Sequence, residues 1–373
     1  MPAPTLVLNM IVKDEAPIIA RFLECVRPII DAWAIMDTGS TDGTPDIIAN
    51  ELADVPGRLG SMEWEGFAKS RNAAISLAEG LGDYLLFMDA DDQAALTDDS
   101  QSIKSQLTAD LHHGMLQSGD TSYNRLLFAK NGCKARYRGV IHEVLIAGPG
   151  DRVGPTVSGF HVKRGGIGTG NRSTLGSEKY RHDAMLLEEA IARNDEPDFL
   201  ERYQFYLAQS YRDCGERQRA LEAYRTRVDM PGGYHQERYV AAMNIGRLLE
   251  ELNQPMSEIL LSYFRAHELD TSRAEAHQHI AACARRLELW NLAFDHAVKA
   301  RDATPTRDKL FVDTSVPEWK AHFEVSVAAW HVGRMKDGLE ACRHVLRSPH
   351  PPTDIRQLTA LHLQRYARAG ASS

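Results

Sequence analysis

Ile35-Met36-Asp37-Thr38-Gly39-Ser40-Thr41-Asp42-Gly43-Thr44 is the stretch whose reading decides the fold of the N-terminal half. An apolar run ends in an aspartate, turns through two glycines and several hydroxyl residues, and meets Pro45 where a helix would begin. A strand that turns this way into a helix opens a β-α-β unit and offers backbone amides and hydroxyls to a polar ligand. The pattern recurs on both sides. Leu6 to Val12 reads as a strand leading into Lys13-Asp14-Glu15, and Tyr84 to Met88 as a strand leading into Asp89-Ala90-Asp91-Asp92. Trp33 to Met36, Arg125 to Ala129, Val140 to Ile146 and Val157 to Val162 are the remaining strand candidates, separated by helix-length segments and Gly/Asp/Asn turns. That alternation predicts an α/β domain with a Rossmann-like, mainly parallel sheet, whose ligands bind beyond the carboxyl ends of the strands.

The chain has 373 residues, enough for two domains, and 43% hydrophobic with 25% charged residues is the composition of a globular protein rather than a fibrous or disordered one. The pattern changes after the glycine-rich stretch Arg164 to Gly176. From Glu178 onward the periodicity is helical, so residues 1–175 and 176–373 are expected to be separate domains. Leu207, Ala208, Tyr211, Ala220 and Tyr224 fall at the small and large positions of a tetratricopeptide (TPR) helix pair, and Ile280, Ala281, Ala284, Ala293, Ala297, Ala300 and Pro305 do so again. Ala220, Ile259, Ala293 and Gly338 are taken as equivalent positions, at unequal spacing. An all-α array of three or four stacked helix pairs is expected.

Five widely spaced cysteines without a CxxC pair indicate neither a disulfide framework nor a zinc knuckle, and fit a reducing, cytoplasmic location. No apolar run is long enough to span a membrane. The formal net charge of -8 hides an uneven distribution: residues 1–124 hold 7 basic and 20 acidic side chains, residues 125–172 hold 9 and 2. An acidic face is followed by a basic segment in the same half.

Asp89 and Asp91, two residues apart at the end of a strand, project to one side, where together they can hold a hard divalent cation. A short aspartate cluster alone is ordinarily a solvated turn or helix cap. Here three strand ends converge, carrying Asn9 to Glu15, Asp37 to Thr44 and Met88 to Asp92. His112, His113, Asp98 and Asp99 resemble ligands superficially and are assigned to solvated surface.

These segments, read with Ser70-Arg71-Asn72-Ala73-Ala74-Ile75, resemble the family 2 glycosyltransferases of GT-A fold, over roughly residues 5 to 165. The resemblance implies transfer of a sugar from a nucleotide-sugar, UDP-linked, with Mn²⁺ or Mg²⁺. It assigns Asp37 to the nucleobase, Arg71 and the Val12 backbone to the nucleoside, Asp91 to the metal and Asp89 to the ribose and metal edge. It is nearest to a subgroup in which a short GT-A domain is followed by TPR repeats, as in bacterial peptide S-glycosyltransferases. In that subgroup Tyr137-Arg138-Gly139-Val140-Ile141-His142-Glu143 stands in place of the usual motif bearing the base. Glu143 is the first candidate for the base and His142 the second. His161 stands where a further metal ligand is expected, and imidazole suits Mn²⁺ beside carboxylates. Lys163, Arg164 and Arg172 would neutralise the leaving diphosphate.

The expected activity is an inverting hexosyl or N-acetylhexosaminyl transfer. The acceptor is left open among a peptide or protein, a glycan and hydroxymethylated DNA bases, and the repeats are expected to present it or to join copies of the chain. A TPR interaction scaffold whose N-terminal domain binds a nucleotide-sugar without turnover is the alternative from another class.

Overall fold

The computed structural model describes residues 3–118, 121–164, 176–304 and 310–370. The chain divides into two compact units, Met1–Leu186 and Leu187–Ser373, the division falling inside one long helix.

The first unit runs β1 (Leu6–Val12), α1 (Ile19–Val26), β2 (Ala32–Asp37), α2 (Thr44–Glu51), β3 (Gly57–Ser61), α3 (Phe67–Leu77), β4 (Tyr84–Phe87), β5 (Asp92–Leu96), α4 (Ser100–Lys104), β6 (Leu111–Ser118), β7 (Thr121–Lys130), β8 (Arg136–Arg138), β9 (Val144–Ile146), β10 (Phe160–Arg164) and α5 (Gly176–Arg193). Eight strands form one sheet in the order β3-β2-β1-β4-β7-β6-β10-β5, and β8 and β9 make a separate hairpin. The β3-β2-β1-β4 half is parallel throughout. In the other half β7 runs antiparallel to β4 and β6, and β10 is parallel to β6 but antiparallel to β5. The architecture is a mostly parallel GT-A-like sheet with helices.

Both faces of the sheet are buried, which is why its central strands read as continuous apolar runs. Leu6, Leu8, Met10 and Val12 of β1 pack with α1 and α2, while Val7 packs on the other face with Ala34 and Leu85. Asn9 breaks the run without cost, because its buried amide donates to the Ala34 and Ala74 carbonyls and ties β1 to α3. Register sets the ends level: Val12 pairs with Asp37 and Asp37 with Ser61. Asn9 pairs with Phe87, so the segment after β4 reaches the level of Val12 near Ala90.

Two expectations need correction. Val140 to Ile146 is not one strand: only Val144–Ile146 is extended, and His142 turns through φ 50°. His112 is not solvated. It is 1% exposed in β6, its Nε2 accepting from the Thr108 and Ala109 amides while Nδ1 faces the Pro155 carbonyl at 3.0 Å. Three backbone partners turn a superficial ligand into a structural brace. The strands β3, β5, β6 and β8 were also absent from the sequence reading.

The second unit consists of antiparallel helix pairs: α6 (Leu200–Asp213) with α7 (Arg217–Asp229), α8 (His235–Glu251) with α9 (Met256–Leu269), α10 (Ala274–Arg286) with α11 (Trp290–Arg301), and α12 (Ala321–His331) with α13 (Met335–Arg347), followed by α14 (Thr353–Gly370). Ala220, Ile259, Ala293 and Gly338 each fall on the second helix of a pair. The small residues are imposed by helix contact. A Cβ at Gly246 would lie 2.4 Å from the Tyr263 ring, and one at Gly338 would lie 2.1 Å from the Tyr366 hydroxyl. The long spacing before Gly338 arises in the segment between α11 and α12, where a π-helical turn, Val316–Lys320, leads into α12.

Candidate functional site

Arg71 lies on α3 with its guanidinium almost enclosed, and it joins two distant segments. Nη2 donates to Asp89 Oδ1 at 2.5 Å, and Nε donates to Glu143 Oε1 at 2.9 Å. The guanidinium also lies 5.2 Å from the centroid of the Tyr137 ring. The neighbouring Asn72 fixes that ring's strand, its side chain exchanging hydrogen bonds with the Tyr137 carbonyl and amide at 2.8 and 2.9 Å. Arg71-Asn72 therefore ties α3 at once to the Asp89 turn and to β8. Burial alone would lower the guanidinium's pKa, but Asp89, Tyr137 and Glu143 together hold it above its ordinary value.

A second arginine approaches from β10. Arg164 Nη2 is 3.6 Å from Asp89 Oδ2, its Nε is 3.4 Å from Asp92 Oδ1, and Nη1 donates to the Tyr123 hydroxyl at 3.2 Å. Asp92 pins the turn: its Oδ2 accepts from the Asp89 amide at 3.2 Å while its own amide donates to the Asp89 carbonyl at 3.1 Å. Its Oδ1 is buried without a hydrogen-bond partner, and burial, reinforced by the charge of Asp89, pushes the carboxyl up to about 6. Asp91 is half-buried on the same turn, and among the described residues no hydrogen bond or ion pair engages it.

The loops after β1 and β2 are stitched together beside this cluster. Asp37 is 6% exposed, and its carboxylate accepts from the amides of Gly39 and Ser40 and from the Ser40 hydroxyl. The Val12 carbonyl accepts from both the amide and the hydroxyl of Thr38, at 2.9 and 3.0 Å. The Asp14 amide donates to Ser40 Oγ, and Thr41 donates back to Asp14 Oδ1. Asp37 and Val12 thus build the wall of the crevice at the sheet's carboxyl end.

Register separates the remaining candidates. Arg164 pairs with Asp92 and shares its face, so His161 and Lys163 lie on the opposite face of β10. His161 pairs with Ala95, three residues back, roughly 10 Å along the strand. The structure therefore brings Asp89, Arg71, Glu143 and Arg164 together, and does not bring His161 or Lys163 to them. His142 is exposed, next to Glu143, in a left-handed conformation uncommon for residues other than glycine. Arg172 lies outside the described residues. Among the described residues no group of three or more His, Cys, Asp or Glu is arranged to hold a metal. The sequence reading missed Asp92, Tyr123 and the role of Tyr137. The third aspartate of Asp89-Ala90-Asp91-Asp92 and the leading aromatic of the Tyr137 to Glu143 segment were signals for two of these; Tyr123 carried none.

Comparison with known proteins gives the class. Residues 9–103 match the family model Glycosyl transferase family 2, so the first unit carries a glycosyltransferase domain of that family. The chain is also 35% identical over 147 residues to a TPR repeat-containing protein of Synechococcus elongatus, a match covering 37% of this chain and 34% of the relative. The chain therefore spans about a third of the length of that curated relative. Solved structures similar to this chain include BtubC from P. vanneervenii, at 14% identity and TM-score 0.39, covering 52% of this chain and 84% of that one. TTC0263, a thermophilic TPR protein of Thermus thermophilus, is matched at 16% identity and TM-score 0.33 over 50% of this chain and 92% of that one. No helix among the described residues is long and apolar enough to cross a membrane.

Proposed function

We propose that the first unit transfers a hexosyl or N-acetylhexosaminyl group from a UDP-sugar to an acceptor nucleophile with inversion. The observation that carries this reading is the Arg71 bridge, which holds Asp89 and Glu143 at the carboxyl end of the parallel sheet inside a glycosyl transferase family 2 domain. The donor's nucleoside lies against the stitched loops of Val12 and Asp37, and its diphosphate faces the Asp89 turn.

The residues present fit a hard divalent cation. Asp91 is an uncommitted carboxylate beside Asp89, and Mg²⁺ or Mn²⁺ commonly takes one or two carboxylates and completes its shell with substrate phosphates and water. Asp89 and Asp91 would hold it, without His161. Bound there, a cation supplies positive charge for the departing diphosphate. Arg164 adds a fixed positive charge beside Asp89.

Glu143 is the base. Arg71 takes its Oε1 and fixes the carboxylate, and Oε2 makes no hydrogen bond among the described residues. Glu143 removes the acceptor's proton as the nucleophile bonds to the anomeric carbon. The bond from that carbon to the diphosphate oxygen breaks on the far side, its electron pair leaving with UDP, so the configuration inverts. The helix pairs of the second unit select a large acceptor, a peptide or protein, through their stacked surfaces, or join two copies of the chain.

A donor screen by melting-temperature shift with Mn²⁺ present tests the reading, followed by assay of UDP release. A ligand at a hundred times its dissociation constant adds about 2.7 kcal/mol of stability. Release that is lost in Asp91→Ala is the expected result. Absence of release with every UDP-sugar across a broad acceptor panel would leave a nucleotide-sugar-binding scaffold instead.

A further inference from the structure

Between β3 and α3 the chain reads Ser61-Met62-Glu63-Trp64-Glu65-Gly66, and the structure places this loop at the carboxyl end of the sheet beside the Asp37 wall. Ser61 pairs with Asp37, and the Met62 amide donates to the Asp37 carbonyl at 3.0 Å, so Trp64 is only two residues from a direct tie to that wall. Gly66, at φ 101°, then turns the chain into α3, the helix that carries Arg71. The loop thus runs from the Asp37 side of the crevice to the arginine that bridges Asp89 and Glu143.

Trp64 is 42% exposed, the one exposed Trp, Tyr or Phe among the described residues of this unit. Single exposed apolar residues are ordinary on protein surfaces, and exposure alone carries nothing. Placement and restraint distinguish this one. Its ring packs on Phe67 in an edge-to-face contact, with centroids 4.7 Å apart and an interplanar angle of 85°, which fixes its orientation while leaving ring surface in solvent. The ends of β1 and β2 present Val12, Asp37 and Thr38, all buried, and no aromatic face. The flanking Glu63 and Glu65 are exposed acids, and Lys69 answers one of them at 3.2 Å from Glu65. Carboxylates on both sides disfavour a phosphate on this ring and admit a neutral planar group.

We propose that Trp64 is the platform on which the donor's nucleobase stacks. The base lies between the Asp37 wall and the indole, and the diphosphate extends away from Glu63 and Glu65 toward Arg164 and the Asp89 turn. Stacking is sequence-tolerant because every base has a π face, so Trp64 supplies affinity rather than the choice of base. This rests on the nucleotide-sugar reading of the same crevice.

The test titrates UDP, with Mn²⁺ present, into the full chain and into Trp64→Ala and Trp64→Phe, reading calorimetry and tryptophan fluorescence. The chain has five tryptophans, of which Trp33 is buried and three lie in the second unit, so quenching by UDP reports chiefly on Trp64. Wild type should bind with quenching. Trp64→Ala should bind about tenfold or more weakly, while Trp64→Phe should keep its affinity within about threefold and lose the quench. The unliganded melting temperature should stay near wild type in Trp64→Phe, and fall by no more than roughly a few degrees in Trp64→Ala, which gives up the contact with Phe67. UDP affinity in Trp64→Ala within twofold of a wild type that does bind would overturn the platform and leave the nucleotide-sugar reading standing. A wild type that binds none of UDP, GDP, CDP or ADP would overturn both.

Discussion

Arg71 and Glu143, 72 residues apart in sequence, meet in a charged hydrogen bond of 2.9 Å that is nearly closed to solvent. The same guanidinium holds Asp89 at 2.5 Å, so one side chain sets the distance between the two carboxylates. Its removal has a structural and a chemical consequence. Arg71→Ala leaves both acids without their shared partner, and breaking such a buried pair costs about 3–5 kcal/mol, toward the lower end here because Arg164 still faces Asp89. Arg71→Lys keeps the charge but cannot present two donors in a fixed fork. We expect Arg71→Ala to melt the first unit markedly earlier and to abolish transfer, with Arg71→Lys intermediate in stability and still inactive. Wild-type transfer rates in Arg71→Lys would show that the fork does not position these carboxylates.

The two candidate bases separate by isosteric replacement. Glu143→Gln still accepts from Arg71 through its amide oxygen, so the fold and UDP affinity should hold while transfer falls by about 10²- to 10⁴-fold. His142→Ala, which removes an exposed side chain, should lower transfer less than about tenfold. Rates of sugar transfer and UDP dissociation constants, measured on both variants, decide the assignment. The reverse ranking would hand the role to His142.

Removal of the cation should act mainly on the leaving group. Chelation with EDTA should suppress transfer, and added Mn²⁺ should restore it. Asp91→Asn should raise the Mn²⁺ concentration needed for half-maximal rate by about an order of magnitude. Because Asp91 makes no hydrogen bond among the described residues, its melting temperature in the absence of ligand should stay near wild type. Full activity of the wild type in EDTA would remove the metal from the reaction.

Much of this was legible in the amino-acid sequence because it is carried by local pattern. The strands β1, β2 and β4 are buried on both faces and so read as apolar runs, and the turns after them announce themselves through Asp, Gly and Ser. The helix pairs were visible because small residues recur where helices touch: Ala208 and Ala220 in one pair, and Ala281, Ala284, Ala293 and Ala297 in another, are all buried. What escaped depends on register. β3, reading Gly57-Arg58-Leu59-Gly60-Ser61, is short, glycine-rich and largely exposed, so it carries no apolar signal. His161, expected at the metal, and Arg164, expected at the diphosphate, are three residues apart, yet pairing with β5 puts only Arg164 on the face of Asp92. His112 looked solvated because nothing in a one-dimensional pattern shows that the Thr108 and Ala109 amides will turn back onto its ring.

The second unit should carry its own pH dependence, to which an imidazole pair remote in sequence from the carboxylates contributes. His277 on α10 and His296 on α11 are 7% and 6% exposed, with their Nδ1 atoms 2.9 Å apart, and the His267 ring lies 4.3 Å from that of His277. Burial first, then neighbouring histidines and Lys299, lowers both His277 and His296 to about 4. The unfolded chain takes up these protons near pH 6.5 and the folded chain only near 4, so between those values the unfolded state binds more protons and stability falls as pH falls. Each imidazole contributes a slope of up to about 1.4 kcal/mol per pH unit inside that window, and the pair less than twice that because the two rings share one hydrogen bond. Above pH 7 the contribution is complete and flat. Hydrogen exchange of the α10 and α11 amides reads this unit separately from the first, and should show protection decreasing from pH 6.5 to 4 after correction for intrinsic rates. The double variant His277→Leu with His296→Leu replaces the pair by apolar side chains and should reduce the slope, leaving the part that His279 on α10 and His322 on α12, also lowered to about 4 by burial, supply. An unaltered slope in that variant would place the acid sensitivity elsewhere.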